Sequence, residues 1–268
     1  MAEIISSLAN GKVKNMRKLR ERKYRDRTQS HLVEGVRAIE EGLAGQAHLV
    51  QLLYDHAQAT QQSELAALVK TARSHHAELL PTTREVLGGF SSRDNPHAAI
   101  AVFAQRWQPL NTLTLDEKSV WITLESPRDP GNLGTIIRSC EAAGASGVIL
   151  IDHACDPYSP EAMRASTGAL FGVSLARASL DEFIEWQTNS GATLVGTGLE
   201  RSTDYRAPDY TGPIIIAMGT ERDGITPRLH AACGQIVRIP MRGNTDSLNL
   251  SIASALMLFE VTNRKYQD

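Results

Sequence analysis

"VWITLESPRDPGNLGTIIRSCEAAGASGVILID" (residues 120–152) holds two short apolar runs, VWITLE and GVILID, on either side of a stretch with helical periodicity, LGTIIRSCEAAGA. Runs of this length suit strands buried on both faces, and a helix between two such strands is how a parallel sheet is built. Three more runs lie downstream, TLVGTG (193–198), PIIIAMG (213–219) and QIVRIPM (235–241), several rich in Val and Ile. The C-terminal part of the chain is therefore read as α/β with a mostly parallel sheet. No internal repeat or low-complexity tract is present.

Upstream the pattern is that of a smaller α/β unit. HLVEGVRAIEEGLAG (31–45) puts Val36, Ile39 and Leu43 at helical spacing, with Gly42 and Gly45 near the stop. LVQLLYD (49–55) and AAIAVFA (98–104) predict strands, and QSELAALVKTARSHH (62–76) predicts a second helix. RWQPLNTLTLDEK (106–118), with Pro109, little periodicity and a polar end, reads as a linker. The expected organisation is thus a basic arm over 1–27, a small domain over 28–105, a linker over 106–118 and a larger domain over 119–268.

The chain has 268 residues, 42% of them hydrophobic, enough for two domains with buried cores. Its net charge of -2 conceals an asymmetry. Residues 12–27, KVKNMRKLRERKYRDR, hold nine of the 28 basic residues and two of the 30 acids, so the remainder carries about -9. The nine cations, Lys12, Lys14, Arg17, Lys18, Arg20, Arg22, Lys23, Arg25 and Arg27, suit a polyanion such as RNA, which point charges meet without much need of a fold. A solvated helix face is the other reading of the same residues.

Cys140, Cys155 and Cys233 are odd in number and too widely spaced for a zinc motif, which favours a reducing compartment. No run approaches the roughly 20 apolar residues of a membrane span, and no signal peptide is evident, so a cytoplasmic protein is expected. G-x-G-x-x-G after the first strand, the P-loop, G-x-S-x-G and H-E-x-x-H are all missing. The adjacent His75 and His76 point to different helix faces and DHACD (152–156) reads as a strand-end loop, so no metal is expected.

Three polar, Gly-containing loops follow strands of the larger domain, and ligands of open α/β sheets bind at such strand ends. In ESPRDPGNLGTIIRS (125–139), Pro130 and Gly131 form a turn, Asn132 is placed to cap the helix and Arg138 falls about two turns in. In MGTERDGITP (218–227), Gly219 and Gly224 bracket Glu221, which suits either a hydrogen bond to a hydroxyl or a plain turn. In MRGNTDSLNLSIASALMLFE (241–260), Asp246 or Ser247 as N-cap explains one polar residue and leaves Asn249 unexplained.

Together the loops resemble the three motifs of the SpoU (TrmH) family of RNA ribose 2′-O-methyltransferases, in the SPOUT superfamily. NLGTIIRS is similar to its first motif, GTERDG to its second, and IPMRGNTDSLNLSIASALMLFE to its third, with SLNLS the most recognisable string. HLVEGVRAIEEGL and NPHAAIAVF are similar to the small substrate-binding domain that precedes many members. Thr220 stands where Ser or Asn is common, and Cys140 where Ala is common.

The resemblance implies a trefoil-knotted α/β catalytic domain behind a small α/β substrate-binding domain. It implies S-adenosylmethionine as cofactor, held by Thr197, Gly198, Gly219, Ile239, Met241 and Leu248. Arg138 would orient the 2′-hydroxyl, framed by Asn132, Glu221, Ser247 and Asn249. A homodimer through the last helix is implied, as is RNA on the first domain and the basic segment, with ribosomal RNA favoured over transfer RNA by analogy. A non-catalytic RNA-binding or ribosome-assembly protein on the same fold is the rival expectation.

Overall fold

The computed structural model describes residues 3–90, 96–220 and 224–266. The chain divides into two compact units, Met1–Gln105 with Tyr158–Met163, and Arg106–Pro157 with Arg164–Asp268.

The first unit contains α1 (Gly11–Lys18), α2 (Arg22–Thr28), β1 (Ser30–Glu34), α3 (Val36–Ala44), β2 (Leu49–Asp55), α4 (His56–Ala59), α5 (Ser63–Ser74), β3 (Glu78–Thr82), α6 (Arg84–Gly88) and β4 (Ala99–Ala104). Its sheet runs β1-β4-β2-β3, with β4 antiparallel to β1 and β2, and β3 parallel to β2. Pro81 lies on edge strand β3, where a missing N–H does least harm to the ladder.

Two expectations are corrected here. The helix runs from Val36 as the spacing of Val36, Ile39 and Leu43 expected, but residues 30–34 before Gly35 form a strand that the reading of 31–45 did not separate from it. The segment 1–27 is no separate arm either. Val13, Met16 and Leu19 recur at three-residue intervals on α1 and its cap and enter the core with Leu53, Phe90 and Ile100, which makes this segment part of the unit.

The second unit holds β5 (Val120–Glu125), α7 (Pro130–Ala142), β6 (Gly147–Ile151), β7 (Ser174–Ala178), α9 (Leu180–Ser190), β8 (Thr193–Thr197), β9 (Thr203–Asp204), β10 (Ile214–Met218), α10 (Pro227–Ala232), β11 (Gln235–Arg238) and α11 (Leu250–Lys265). The helix α8 (Pro160–Ser166) straddles the division between the units. Every strand pair in the sheet β7-β6-β5-β10-β8-β11-β9 is parallel.

One sheet face packs Trp121, Ile149, Ile151, Leu194 and Ile215 against Phe183 of α9 and Leu229 of α10. On the other side α11 packs on α7, β5 and β10. Cover on both faces explains why the strands read as unbroken apolar runs. The expected linker 106–118 belongs to this unit: the Gln108 N–H donates to the Leu175 carbonyl at 2.8 Å, and Leu110, Leu113 and Leu115 pack on the core.

Strand β11 lies between β8 and β9, which are consecutive in the chain and joined by residues 198–202. Tyr205 N–H donates to the Arg238 carbonyl at 2.9 Å, and Arg238 donates to the Ser202 carbonyl, so the connection is bound to the strand it flanks.

Candidate active site

Parallel strands send their C-terminal ends to one edge, so the loops after β5, β10, β8 and β11 emerge side by side in that order. The Thr197 hydroxyl at the end of β8 donates to the Ala217 carbonyl at 3.2 Å, and the Gly198 N–H donates to the Val237 carbonyl at 3.0 Å. Ile239 and Met241 follow β11 directly and are half-buried, as is Leu248 just before α11. Thr197, Gly198, Gly219, Ile239 and Met241 are thereby placed at three adjacent strand ends.

The loop after β10 is pressed against itself. Thr220 and Gly224 exchange two backbone hydrogen bonds at 3.1 and 3.0 Å, and a Cβ on Gly219 would lie 1.9 Å from the Gly224 carbonyl. Only glycine fits at 219, and Gly224 takes φ +66, a left-handed conformation that costs it nothing. Glu221, expected to line this loop, lies outside the described residues.

Asn132 and Asn249, 117 residues apart in sequence, meet here: the Asn249 Nδ2 donates to the Asn132 Oδ1 at 3.0 Å. Asn249 is the N-cap of α11, its Oδ1 accepting from the Ser251 N–H at 2.8 Å and the Ser251 hydroxyl at 2.6 Å. An amide can accept and donate at once, whereas a carboxylate at 249 would cap but could not donate to Asn132. Asp246 and Ser247 are therefore not the cap, and the unexplained residue of the third motif is the one that caps.

The cap of α7 also falls elsewhere than expected. Asp129 accepts from the Asn132 N–H at 2.6 Å with Pro130 at the first helical position, so Asn132 sits inside the first turn and its side chain meets Asn249. The N-termini of α7 and α11 thus converge, each contributing the positive end of a helix dipole.

Arg138 is exposed on α7 and makes no hydrogen bond or ion pair among the described residues, which leaves its guanidinium uncommitted. Ser247 is exposed in the loop before α11. Among the described residues no hydrogen bond joins either to the Asn132–Asn249 pair.

Sequence reasoning missed Glu125. This buried residue ends β5, and its two carboxylate oxygens accept from the Thr226 N–H and hydroxyl, each at 2.7 Å. Burial and then the Glu125 charge push the neighbouring Cys233 thiol up to about 12. The visible signal was a lone acid closing an apolar strand run; its partner, 101 residues away, was not legible.

The basic residues of the first unit divide. Lys12, Lys14, Arg17, Lys18, Arg20, Arg22, Lys23 and Arg27 are exposed. Arg25 is buried at 3% exposure and donates to the Leu19 and Arg20 carbonyls at 2.8 and 2.7 Å, so it is withdrawn from the expected phosphate-binding set. Among the described residues, exposed cations are partly engaged by Glu78 with Lys12 at 2.5 Å, Asn15 with Lys18 at 3.4 Å, Glu34 with Arg20 at 3.7 Å and Asp26 with Arg22 at 3.6 Å. Tyr24 lies under both Lys18 and Arg27, at 5.6 and 4.9 Å from its ring centre.

Two glycines of these strands leave no room for a side chain. A Cβ at Gly196 would come within 2.7 Å of the Cys233 sulfur, as one at Gly219 would strike Gly224.

Comparison with known proteins places these features in a family. The SpoU rRNA Methylase family matches residues 119–259, and the MRM3-like substrate binding domain matches residues 10–101. A 23S rRNA (uridine(2479)-2′-O)-methyltransferase of Streptomyces viridochromogenes is 31% identical over 91% of this chain and 86% of its own. The 23S rRNA (guanosine(2553)-2′-O)-methyltransferase of Bacillus subtilis is 24% identical over 96% and 98%. The crystal structure of an AdoMet-bound rRNA methyltransferase from Sinorhizobium meliloti superposes with a TM-score of 0.91 at 37% identity, over 97% of both chains.

Proposed function

Because the chain belongs to the SpoU rRNA methylase family, we propose that it transfers the methyl group of S-adenosylmethionine to a ribose 2′-hydroxyl of ribosomal RNA. The observation that carries this reading is the Asn132–Asn249 hydrogen bond, which brings the first and third motifs to one place. The relatives' names specify uridine in one case and guanosine in another, so the choice of nucleotide varies within the family.

When bound, the cofactor supplies a methyl group on a sulfonium, which needs only an oxygen nucleophile held in line. The transfer would leave neutral S-adenosylhomocysteine and release the hydroxyl proton towards solvent, so the chain's share is positioning together with help in removing that proton. Thr197, Gly198, Gly219, Ile239, Met241 and Leu248 hold the cofactor. Arg138 presents its fork of donors to the ribose hydroxyl and the adjoining phosphate. It keeps its own proton, since a guanidinium does not deprotonate in proteins. Asn132, Glu221, Ser247 and Asn249 frame the ribose by hydrogen bonds.

The first unit holds RNA through the exposed cations of α1 and α2, giving affinity without sequence choice. A homodimer forms on α11, where Ile252, Leu256 and Phe259 are 51%, 39% and 43% exposed at successive turns of one helix face. The placement of β11 between β8 and β9 supports a knotted chain in which residues 198–202 cross the later strand. The protein works in the cytoplasm; none of its described helices is long and apolar enough to cross a membrane.

Calorimetric titration with S-adenosylmethionine, followed by transfer of a labelled methyl group to ribosomal RNA, tests the reading. Saturable binding and label recovered in an alkali-resistant dinucleotide are expected. Absence of cofactor binding would point instead to an RNA-binding protein that keeps the fold without the chemistry.

A further inference from the structure

The backbone ladder between β5 and β10 ends at the pair Met218↔Leu124. Past that point the chains diverge, one into Ser126 with φ +50 and on to Asn132, the other into Gly219 and the closed turn of Thr220 and Gly224. The Glu125 carboxylate takes up the attachment where the ladder stops, gripping Thr226 by its N–H and hydroxyl at 2.7 Å each. Thr226 already caps α10 through its own oxygen, which accepts from the Leu229 N–H at 3.3 Å, so the cap does not need the carboxylate. Ile225 beside it packs into the core.

A carboxylate is an expensive group to bury, and it is retained where its hydrogen bonds define a geometry that an apolar residue would leave loose. Both ends of this brace lead to positions assigned above to methyl transfer: Asn132 on one side, Gly219 on the other. We infer that Glu125 is a positioning residue for methyl transfer, setting the distance between Gly219, held through the Thr220–Gly224 pair, and the Asn132 loop. It touches neither cofactor nor ribose. The inference rests on the proposed function and adds to it the element that holds two of the three motifs in register.

The test is steady-state kinetics on the full chain with ribosomal RNA, alongside thermal unfolding, for Glu125→Ala, Glu125→Gln, Thr226→Val and Thr226→Ser. Losing buried charge-assisted hydrogen bonds should raise the S-adenosylmethionine KM of Glu125→Ala about tenfold or more, with the RNA KM unchanged. Glu125→Gln keeps the shape and an acceptor for the Thr226 N–H and recovers most of the loss, and Thr226→Ser keeps both bonds and behaves as wild type.

A folded Glu125→Ala whose cofactor KM lies within about twofold of wild type would overturn the inference, as would a lowered unfolding temperature with that KM unmoved. If Glu125→Ala does not fold, Thr226→Val decides in the same way, with a raised cofactor KM expected and an unchanged one contradictory. A wild-type chain that binds no S-adenosylmethionine overturns the functional reading and this role with it. That result differs visibly from an active wild type whose Glu125 variants keep the cofactor KM.

Discussion

The two units hold their polar groups in opposite ways. In the first, the cations of α1 and α2 stand on an ordinary amphipathic surface, and the buried Arg25 and His31 lie in or beside regular elements. In the second, polar side chains replace regular structure at the strand ends: Glu125 holds Thr226, Asn249 holds Asn132, and Gly219 leaves no room for a methyl group. A charged surface tolerates change because many contacts share the load. A site assembled from long-range single hydrogen bonds does not, and the contrast predicts steep losses in one unit and graded ones in the other.

The largest loss should come from Arg138. Arg138→Ala is expected to lower kcat by about 10²–10³-fold, the range for removing one donor aimed at developing charge. The cofactor dissociation constant should move by less than about twofold. Arg138→Lys should recover little, because an ammonium lacks the planar fork. Rate measurements at saturating RNA check this, and a fully active Arg138→Ala would remove the residue from the site.

Next come the two asparagines, with kcat losses of about tenfold or more for Asn132→Ala or Asn249→Ala. Because the residues share one bond, the double variant should be hardly worse than either alone, whereas independent residues would give additive losses. Asn249→Asp separates structure from chemistry. It keeps an acceptor for the Ser251 N–H and so the cap of α11, but it cannot donate to Asn132. Its unfolding temperature should stay close to that of wild type while activity falls.

Smaller effects belong to the first unit. Neutralising Lys14, Arg17 or Lys23 one at a time should raise the RNA dissociation constant only modestly, leave kcat intact and lower the slope of log K against log salt by about one per lost phosphate contact. A salt slope unchanged in all three variants would place the RNA elsewhere.

The smallest effect on activity, though not on stability, concerns His31. Burial first, and the nearby Arg25 second, lower its pKa to about 3, against a bond to the Phe103 backbone that raises it. The unfolded imidazole titrates near 6.5, so between pH 6.5 and 3 the unfolded chain binds the extra proton. Stability is therefore complete above about pH 6.5 and lost as pH falls, by roughly 1 kcal/mol per unit at the steepest. His31→Phe should flatten the fall in unfolding temperature between pH 6.5 and 4, and an unaltered pH profile would contradict this.

The strands of the second unit were legible because both faces of the sheet are covered, which makes VWITLE, GVILID and PIIIAMG continuous in apolar residues. Edge strand β7 was not, since SLARA carries the exposed Arg177 and is too short to show a period. Strand β1 went unseen because its five residues are too few to show a period and run through Gly35 straight into the helix. The folding of α1 was visible in Val13, Met16 and Leu19 but was outweighed by the charge around them. At the site, residue types and chain order were readable, while the partners were not. Nothing local reveals that Asn249 caps one helix and grips the start of another, or that Glu125 reaches Thr226.

The central claim is that distant loops of one chain meet to methylate a ribose on ribosomal RNA. Mapping alkali-resistant ribose linkages across ribosomal RNA tests it most directly, in cells that make the wild-type protein, the Asn249→Ala variant or none. The account predicts one protected linkage with wild type that is missing in the other two. Identical maps in all three, or a methyl group found on a base, would contradict it.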